Sequence, residues 1–240
     1  MFRFNNFALH HEKSSLKIGT DSVLLACLAD ITSCTHILDI GCGCGVIALG
    51  LADRLQTSLK NAKICGIDID ADSIAEANLN HSIFPDNEHI FITFQQAALQ
   101  IHYPNEPYDL IVSNPPYFSS SLKPSDQRRM VSKHQDNNLS FADLACHAAR
   151  LLSPAGTFWL ILPMTEYVNF CTEGAQQQLY PFREWRISPN PRKASNRIVA
   201  AFTKSNAAVK VESTTLMIRD ELNRYTADYK ATVAAIQNLE

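Results

Sequence analysis

The sequence predicts an α/β fold: a mostly parallel, twisted sheet with helices on both faces and an antiparallel C-terminal edge. Three observations predict it. Short apolar runs of strand length alternate with apolar-faced helical segments of ten or more residues, the pattern of βαβ units. A glycine triplet, Gly41-Cys-Gly-Cys-Gly45, ends the first run and opens the first of those helices. The chain has 240 residues, 46% of them apolar, which suffices for one such domain with small additions.

The elements follow in order. Thr35–Ile40 reads as a buried strand, and Val46, Ile47, Leu49, Leu51, Ala52 and Leu55 then recur at helical spacing. Lys63–Ile67 is the second strand. Asp70 or Asp72 caps a helix running through Asn80, with Ile74, Ala75, Ala77 and Leu79 inside it. Ile90–Phe94 and Tyr108–Ser113 are the third and fourth strands. Ser140-Phe-Ala-Asp143 has the form of a capping box with Asp in place of Glu, opening a helix that stops before Pro154-Ala-Gly156. Thr157–Leu162 is the fifth strand, and Phe182–Ile187 with Ile198–Phe202 form the antiparallel edge pair. Residues 35–204 are thus expected to be the core. Residues 1–34 are expected to form an N-terminal extension or lid, and 205–240 a strand and helix appended to the same domain.

Composition excludes other classes. No stretch approaches the roughly 18 consecutive apolar residues of a membrane span. The N-terminus lacks the apolar core and small-residue cleavage site of a secretory signal. Seven scattered cysteines, an odd number, argue for reduced thiols and a cytoplasmic protein. The net charge of −3 is unevenly spread. Gly66–Asp109 holds eight acids and no Lys or Arg, whereas Pro181–Lys204 holds six bases against Glu184 alone. Lys123, Arg128, Arg129 and Lys133 form a second basic group. Such asymmetry can seat a polyanion on one face; on charge alone, ordinary solvated surface is an equal reading.

Ligands of an open parallel sheet bind outside the carboxyl ends of its strands, where strand order reverses. Gly41, Gly43 and Gly45 stand at such an end. Their spacing is Gly-x-Gly-x-Gly, not the Gly-x-Gly-x-x-Gly of dinucleotide sites. Asp39 precedes them, and Asp68 ends the second strand, where a carboxylate can accept both hydroxyls of a ribose. Together these features favour a nucleoside-type ligand over a plain tight turn. Cys42 and Cys44 lack further ligands at metal-site spacing and are expected to be small fillers, with no metal.

Asn114-Pro-Pro-Tyr117 directly follows the fourth strand and is the most specific feature. Two prolines hold the backbone extended and without N–H groups, so its carbonyls are available as acceptors. The Asn114 side chain adds another. Two acceptors aimed at the hydrogens of an exocyclic amino group favour a pyramidal nitrogen whose lone pair points at an electrophile. Tyr117 supplies a flat face for the base.

With these residues the chain resembles the class I S-adenosylmethionine-dependent methyltransferases of the Asn-Pro-Pro-Tyr amino type, whose fold is Rossmann-like. Asp39–Gly45 matches their first cofactor motif, Gly66-Ile-Asp68 the ribose-binding end of the second strand, and Asn114–Phe118 the catalytic motif. Phe4-Asn-Asn-Phe7, Leu16–Leu25, Arg192–Phe202 and Tyr225–Tyr229 resemble segments of one branch, the bacterial tRNA(Val) (adenine-N6)-methyltransferase family.

The resemblance implies S-adenosylmethionine as cofactor and N6 of adenosine 37 in the anticodon loop of a valine tRNA as acceptor. It assigns catalysis to Asn114, Pro115 and Tyr117. Cofactor contacts would come from Lys17, Thr20, Asp39, Gly41, Gly43, Gly45, Asp68, Ile69, Gln96, Ala98 and Asn114. The base would meet Pro116, Tyr117 and Phe118, and tRNA phosphates Arg128, Arg129, Lys133, Arg192, Lys193 and Arg197. A monomer is expected. One departure stands out: the family commonly carries an acid after the third strand for the cofactor's adenine amino group, and this chain has Ala98 there, leaving Gln96 or a backbone carbonyl to substitute.

Thr20 or Asp21 serves equally as a helix N-cap or as part of a lid, and His10, His11 and His134 are expected to face solvent. A guanine-N2 ribosomal RNA enzyme is the runner-up, and a catalytically silent RNA-binding module of the same fold is the non-enzyme alternative.

Overall fold

The computed structural model describes residues 1–14, 17–56, 61–116, 139–205 and 210–239. Eight strands form one sheet: β3 (His36–Ile40), β4 (Ala62–Asp68), β5 (Ile90–Gln96), β6 (Tyr108–Ser113), β7 (Leu152–Pro163), β8 (Tyr180–Ser188), β9 (Arg197–Thr203) and β10 (Glu212–Met217). Their order is β10-β8-β9-β7-β6-β3-β4-β5. Within it only β9 runs antiparallel to its neighbours. A separate antiparallel pair, β1 (Phe2–Arg3) and β2 (Ala8–Leu9), belongs to the N-terminal segment.

Strand order reverses between β3 and β6. From β3 the chain proceeds outward through α2 (Val46–Leu55) to β4 and through α3 (Ala71–Ser82) to β5; it then returns to the other side of β3 as β6. Right-handed crossovers place helices of the two halves on opposite faces. One apolar layer accordingly joins α1 (Thr20–Leu28), α2, α3 and α6 (Ala227–Val233) to the sheet. The other layer joins α4 (Phe141–Leu151) and α5 (Met164–Gln176), with Phe158, Phe170 and Phe202 at its centre.

Local chemistry accounts for the boundaries. Asp70 is the N-cap of α3, its Oδ2 accepting the Ser73 N–H at 3.1 Å. Ser140 caps α4 through the Asp143 N–H at 3.0 Å, while its hydroxyl donates to the Asp143 carboxylate at 2.7 Å. The anticipated fifth strand starts five residues earlier than its apolar run. Leu152 already pairs with Tyr108, and Ser153–Gly156 bulge before Thr157 pairs with Leu110, which accommodates the missing N–H of Pro154. The β8/β9 pair is antiparallel but is not the sheet's edge. β10 adds to β8 in parallel and covers its free side, with Arg183–Glu212 at 2.8 Å and Ser213 Oγ donating to Glu184 at 2.8 Å.

The N-terminal segment is strapped to the core rather than loose. The Glu76 carboxylate, on the buried face of α3, accepts three successive backbone N–H groups, from Glu12, Lys13 and Ser14, at 2.8–3.0 Å. Asn80, one turn on, accepts the His10 N–H and donates to the His10 and Cys44 carbonyls. His10 and His11 are therefore half-buried, not solvent-facing. Phe4 and Phe7 stack at 4.5 Å, and Asn5 between them bonds the Ala234 carbonyl and the Asn238 N–H, just beyond α6.

Candidate active site

The carboxyl ends of β3, β4, β5 and β6 meet at the reversal point. Ile40 and Ser113, the last residues of β3 and β6, are in register, and Ser113 Oγ donates to the Ile40 carbonyl at 3.0 Å. Gly41 and Asn114 consequently leave the sheet side by side, about 4.8 Å apart by strand spacing. Asp68 ends β4 beside them, and Gln96 ends β5 in register with Asp68.

The three glycines differ in what surrounds them. All have positive φ (69°, 54° and 84°), the left-handed region where a side chain is strained. A Cβ on Gly41 would meet nothing within 4 Å among the described residues beyond its chain neighbours. On Gly45 it would lie 2.8 Å from the Phe94 ring, and on Gly66 2.5 Å from the same ring. Among the described residues Gly41 alone of these faces open space; Gly45 and Gly66 are a slot for Phe94. Gly43 is closed over by Ser14 of the strap, whose Oγ is 3.1 Å from where its Cβ would be.

Asp68 is held by backbone: Gly43 N–H donates to Oδ2 and Asp70 N–H to Oδ1, both at 2.9 Å. Burial raises its pKa, opposed by those N–H groups. Asp39 is fully buried, and burial pushes its pKa up to about 7. Its Oδ2 accepts the Ala48 N–H at 3.1 Å, so it braces α2 from behind the glycine loop; Oδ1 has no hydrogen-bond partner among the described residues. Gln96 is exposed and donates to the Ile69 carbonyl at 3.1 Å. Ala98, half-buried, precedes a short 3₁₀ turn (Leu99–Ile101) and brings no carboxylate.

Asn114 is half-buried, Pro115 buried and Pro116 exposed. Asn114 Nδ2 donates to Ser22 Oγ of α1 at 3.4 Å. Tyr117, Phe118, Arg128, Arg129, Lys133 and His134 lie outside the described residues.

Other sequence candidates have partners of their own. Lys17 Nζ donates to the His11 and Glu12 carbonyls, both at 2.7 Å, across the strap. The N-cap of α1 is Gly19, in extended conformation, rather than Thr20 or Asp21. The Thr20 hydroxyl sits against Tyr229 of α6. Asp21 Oδ2 receives Arg197 Nε at 2.9 Å, joining α1 to β9. Arg192 and Lys193 are exposed between β8 and β9, on the same carboxyl rim as the glycines. Burial raises the thiol pKa of Cys42 far above its ordinary value and that of Cys44 to about 12, so both remain neutral packing groups of the core. Ser22, Glu76 and Asn80 were missed by sequence reasoning. The available signal was a polar residue on an otherwise buried helical face.

An opening beside a positive-φ glycine, a carboxylate fixed by two backbone N–H groups and an unsatisfied buried acceptor fit an adenosyl cofactor bearing hydroxyls and an amine. These features sit at the reversal point of a class I fold, and the chain is a methyltransferase of the S-adenosylmethionine-dependent class. The family model of the methyltransferase small domain matches residues 11–168. A predicted O-methyltransferase from Agrobacterium tumefaciens shares the fold with a TM-score of 0.65 at 16% identity, covering 92% of this chain and 98% of that one. A methyltransferase from Pyrococcus furiosus does so with 0.58 at 17% identity, covering 83% and 89%.

Within that class the chain belongs to the tRNA1(Val) (adenine(37)-N6)-methyltransferase family. It is 37% identical over 232 residues to the member from Parabacteroides distasonis, covering 96% of this chain and 94% of the relative. Identity to the Pseudoalteromonas translucida member is 33% over 236 residues, covering 98% and 97%.

Proposed function

We propose that this chain methylates N6 of adenosine 37, next to the anticodon of a valine tRNA. One observation carries the reading: Asn114-Pro115 follows Ser113, whose register partner Ile40 precedes Gly41, the glycine that meets nothing within 4 Å among the described residues. Near-full-length relatives bearing that activity in their names support the substrate. They lend nothing to the guanine-N2 alternative.

S-adenosylmethionine supplies, when bound, a methyl group already activated on a sulfonium. The chain's task is alignment within about 3–3.5 Å and charge stabilisation. Gly41 admits the ligand backbone, Gly43 holds the Asp68 carboxylate, and Asp68 accepts the ribose hydroxyls. The Ile69 carbonyl, with Gln96 bonded to it, and the Ala98 backbone border the adenine in place of the missing acid. Asn114 Oδ1 and the Pro115 carbonyl accept the N6 hydrogens and turn the lone pair toward the methyl carbon. As the new N–C bond forms and the sulfonium's bond to the methyl breaks, leaving a neutral thioether, the amino nitrogen becomes a strong acid and releases its proton to water, so no general base is required. Tyr117 and Phe118 receive the base, which a loop nucleotide gives up cheaply. Arg192 and Lys193 border this rim, and with Arg128, Arg129 and Lys133 are the phosphate contacts of the reading; Arg197 is paired with Asp21. In this reading 35–204 is the catalytic core, 1–34 its strap and 205–240 its C-terminal appendage, in a cytoplasmic monomer.

Nucleoside mass spectrometry of purified valine tRNA incubated with the protein and labelled cofactor tests it. N6-methyladenosine at position 37 is expected, and Asn114→Ala should abolish it while cofactor affinity is kept. Label in a methylguanosine would refute the assignment.

A further inference from the structure

We infer that Glu76 and Asn80 are positioning residues for the cofactor: by docking the strap they hold the glycine loop against Asp68. The inference rests on the role given to Asp68 above.

Asp68 is cradled from two sides. Gly43 of the glycine loop bonds its Oδ2, and Asp70, the N-cap of α3, bonds its Oδ1. Ser14 of the strap touches both sides. Its Oγ lies 3.1 Å from the Cβ position of Gly43 and 3.4 Å from Ser73 Oγ, which donates to Asp70 Oδ2 at 2.6 Å. Ser14 is 2% exposed, a wedge between the glycine loop and the first turn of α3.

The wedge matters because the loop is intrinsically soft. Gly41, Gly43 and Gly45 give its backbone a wide choice of conformations, and a fixed carboxylate requires one of them. The start of the loop is tied to β4, the Gly41 and Cys42 N–H groups both donating to the Ile67 carbonyl. Its middle is tied by Asn80 Nδ2, which donates to the Cys44 carbonyl at 2.9 Å. The same amide holds both backbone groups of His10, at 2.7 and 2.9 Å. Carbonyls only accept and an N–H only donates, so these partners settle the orientation of the amide. One fully buried side chain thereby joins strap and loop. Glu76, one turn earlier, fixes Ser14 itself, its Oε2 accepting the Ser14 N–H at 2.8 Å. Docking of the strap and binding of the cofactor therefore favour each other, and by linkage each does so by the same factor.

The test uses the full chain with E76Q and N80D. E76Q keeps an acceptor for the Glu12 and Lys13 N–H groups, which share Oε1, but turns an NH2 toward the N–H of Ser14. N80D sets an oxygen against the His10 and Cys44 carbonyls. Calorimetry with S-adenosylhomocysteine, the cofactor after methyl loss, should show Kd raised at least fivefold in E76Q and at least tenfold in N80D. KM for tRNA and kcat at saturating cofactor should stay within twofold of the parent. In the parent, saturating S-adenosylhomocysteine should slow tryptic cleavage after Lys13 and Lys17 at least fivefold, read as N-terminal fragments by mass spectrometry. That measurement and E76Q decide the matter even if N80D does not fold. The inference is overturned if E76Q binds within twofold of the parent, or if either variant binds more tightly. It is equally overturned if the loss falls on kcat or on KM for tRNA, or if S-adenosylhomocysteine leaves the cleavage rate unchanged. If the parent itself binds no S-adenosylhomocysteine, the reading of the Asp68 site falls and the inference with it. If the parent binds and methylates while E76Q loses no affinity, only the inference falls.

Discussion

Replacing Gly45 and Gly41 separately by alanine should divide a packing glycine from a ligand-facing one. Both have positive φ, so each alanine carries a backbone cost of about 1–2 kcal/mol. Gly41→Ala adds no clash with the described residues, since beyond its chain neighbours none of their atoms lies within 4 Å of the new methyl. Gly45→Ala sets its methyl 2.8 Å from the Phe94 ring and 3.4 Å from the Ala77 methyl. Phe94 is buried, and Gly66 lies against the adjoining Cδ1–Cε1 edge of the same ring, so the ring has little room to give. Overpacking of this kind costs about 1–3 kcal/mol. The total for Gly45→Ala is then about 2–5 kcal/mol, a fall in melting temperature of about 4–20 °C for a chain of this size. Gly41→Ala should lose only about 2–8 °C, and less than Gly45→Ala by whatever the Phe94 clash adds. Cofactor affinity should move the opposite way: at least tenfold weaker in Gly41→Ala, little changed in folded Gly45→Ala. Adding Phe94→Leu should return part of the stability lost by Gly45→Ala and none of that lost by Gly41→Ala. Scanning calorimetry and titration of cofactor measure both quantities. Equal melting temperatures for the two alanines, or undiminished affinity in Gly41→Ala, would refute the division of roles.

Three further outcomes are expected. Asp39 has a folded pKa of about 7 against an ordinary 3.8, so between those values the folded chain holds a proton the unfolded chain has lost. Its contribution therefore makes stability fall as pH rises from about 4 to 7, by on the order of 4 kcal/mol in full, and Asp39→Asn should flatten that slope in urea titrations at several pH values. Glu76→Ala orphans three backbone donors and should cost about 3 kcal/mol; trypsin should then cut first at Lys13 and Lys17, and an unchanged cleavage pattern would speak against the strap. Reversing Arg192 and Lys193 to Glu should weaken tRNA binding and reduce the slope of log affinity against log salt by about 0.7 for each phosphate no longer neutralised, with unaltered binding marking the pair as ordinary surface.

The fold was legible because its signals are local. The apolar run of Thr35–Ile40 broken by Gly41 marks a strand end and a helix start with no knowledge of partners, and Asp70 as an N-cap needs only the next three residues. The alignment of Gly41 with Asn114 could be anticipated because strand reversal places ligands at carboxyl ends whatever the side chains. Features set by residues distant in sequence were not legible. The parallel docking of β10 depends on Glu212 and Ser213 finding Arg183 and Glu184, and nothing within 212–217 announces it. Arg197 reads as a phosphate-binding cation in the sequence because its partner lies 176 residues earlier. Glu76 reads as an exposed helical acid until the strap arrives to supply its three donors.

The bonds of Asn5 carry a consequence for biosynthesis. The strap that closes over Gly43 begins a few residues after Asn5, and Asn5 itself is secured by backbone groups of residues 234–238. During translation those anchors emerge 229 residues or more after the segment they hold. A nascent chain can therefore dock residues 10–14 on Glu76 and Asn80 while Asn5 still lacks its two anchors. Arrival of residues 234–238 completes the anchoring of the strap's near end, the last of its ties to form in chain order.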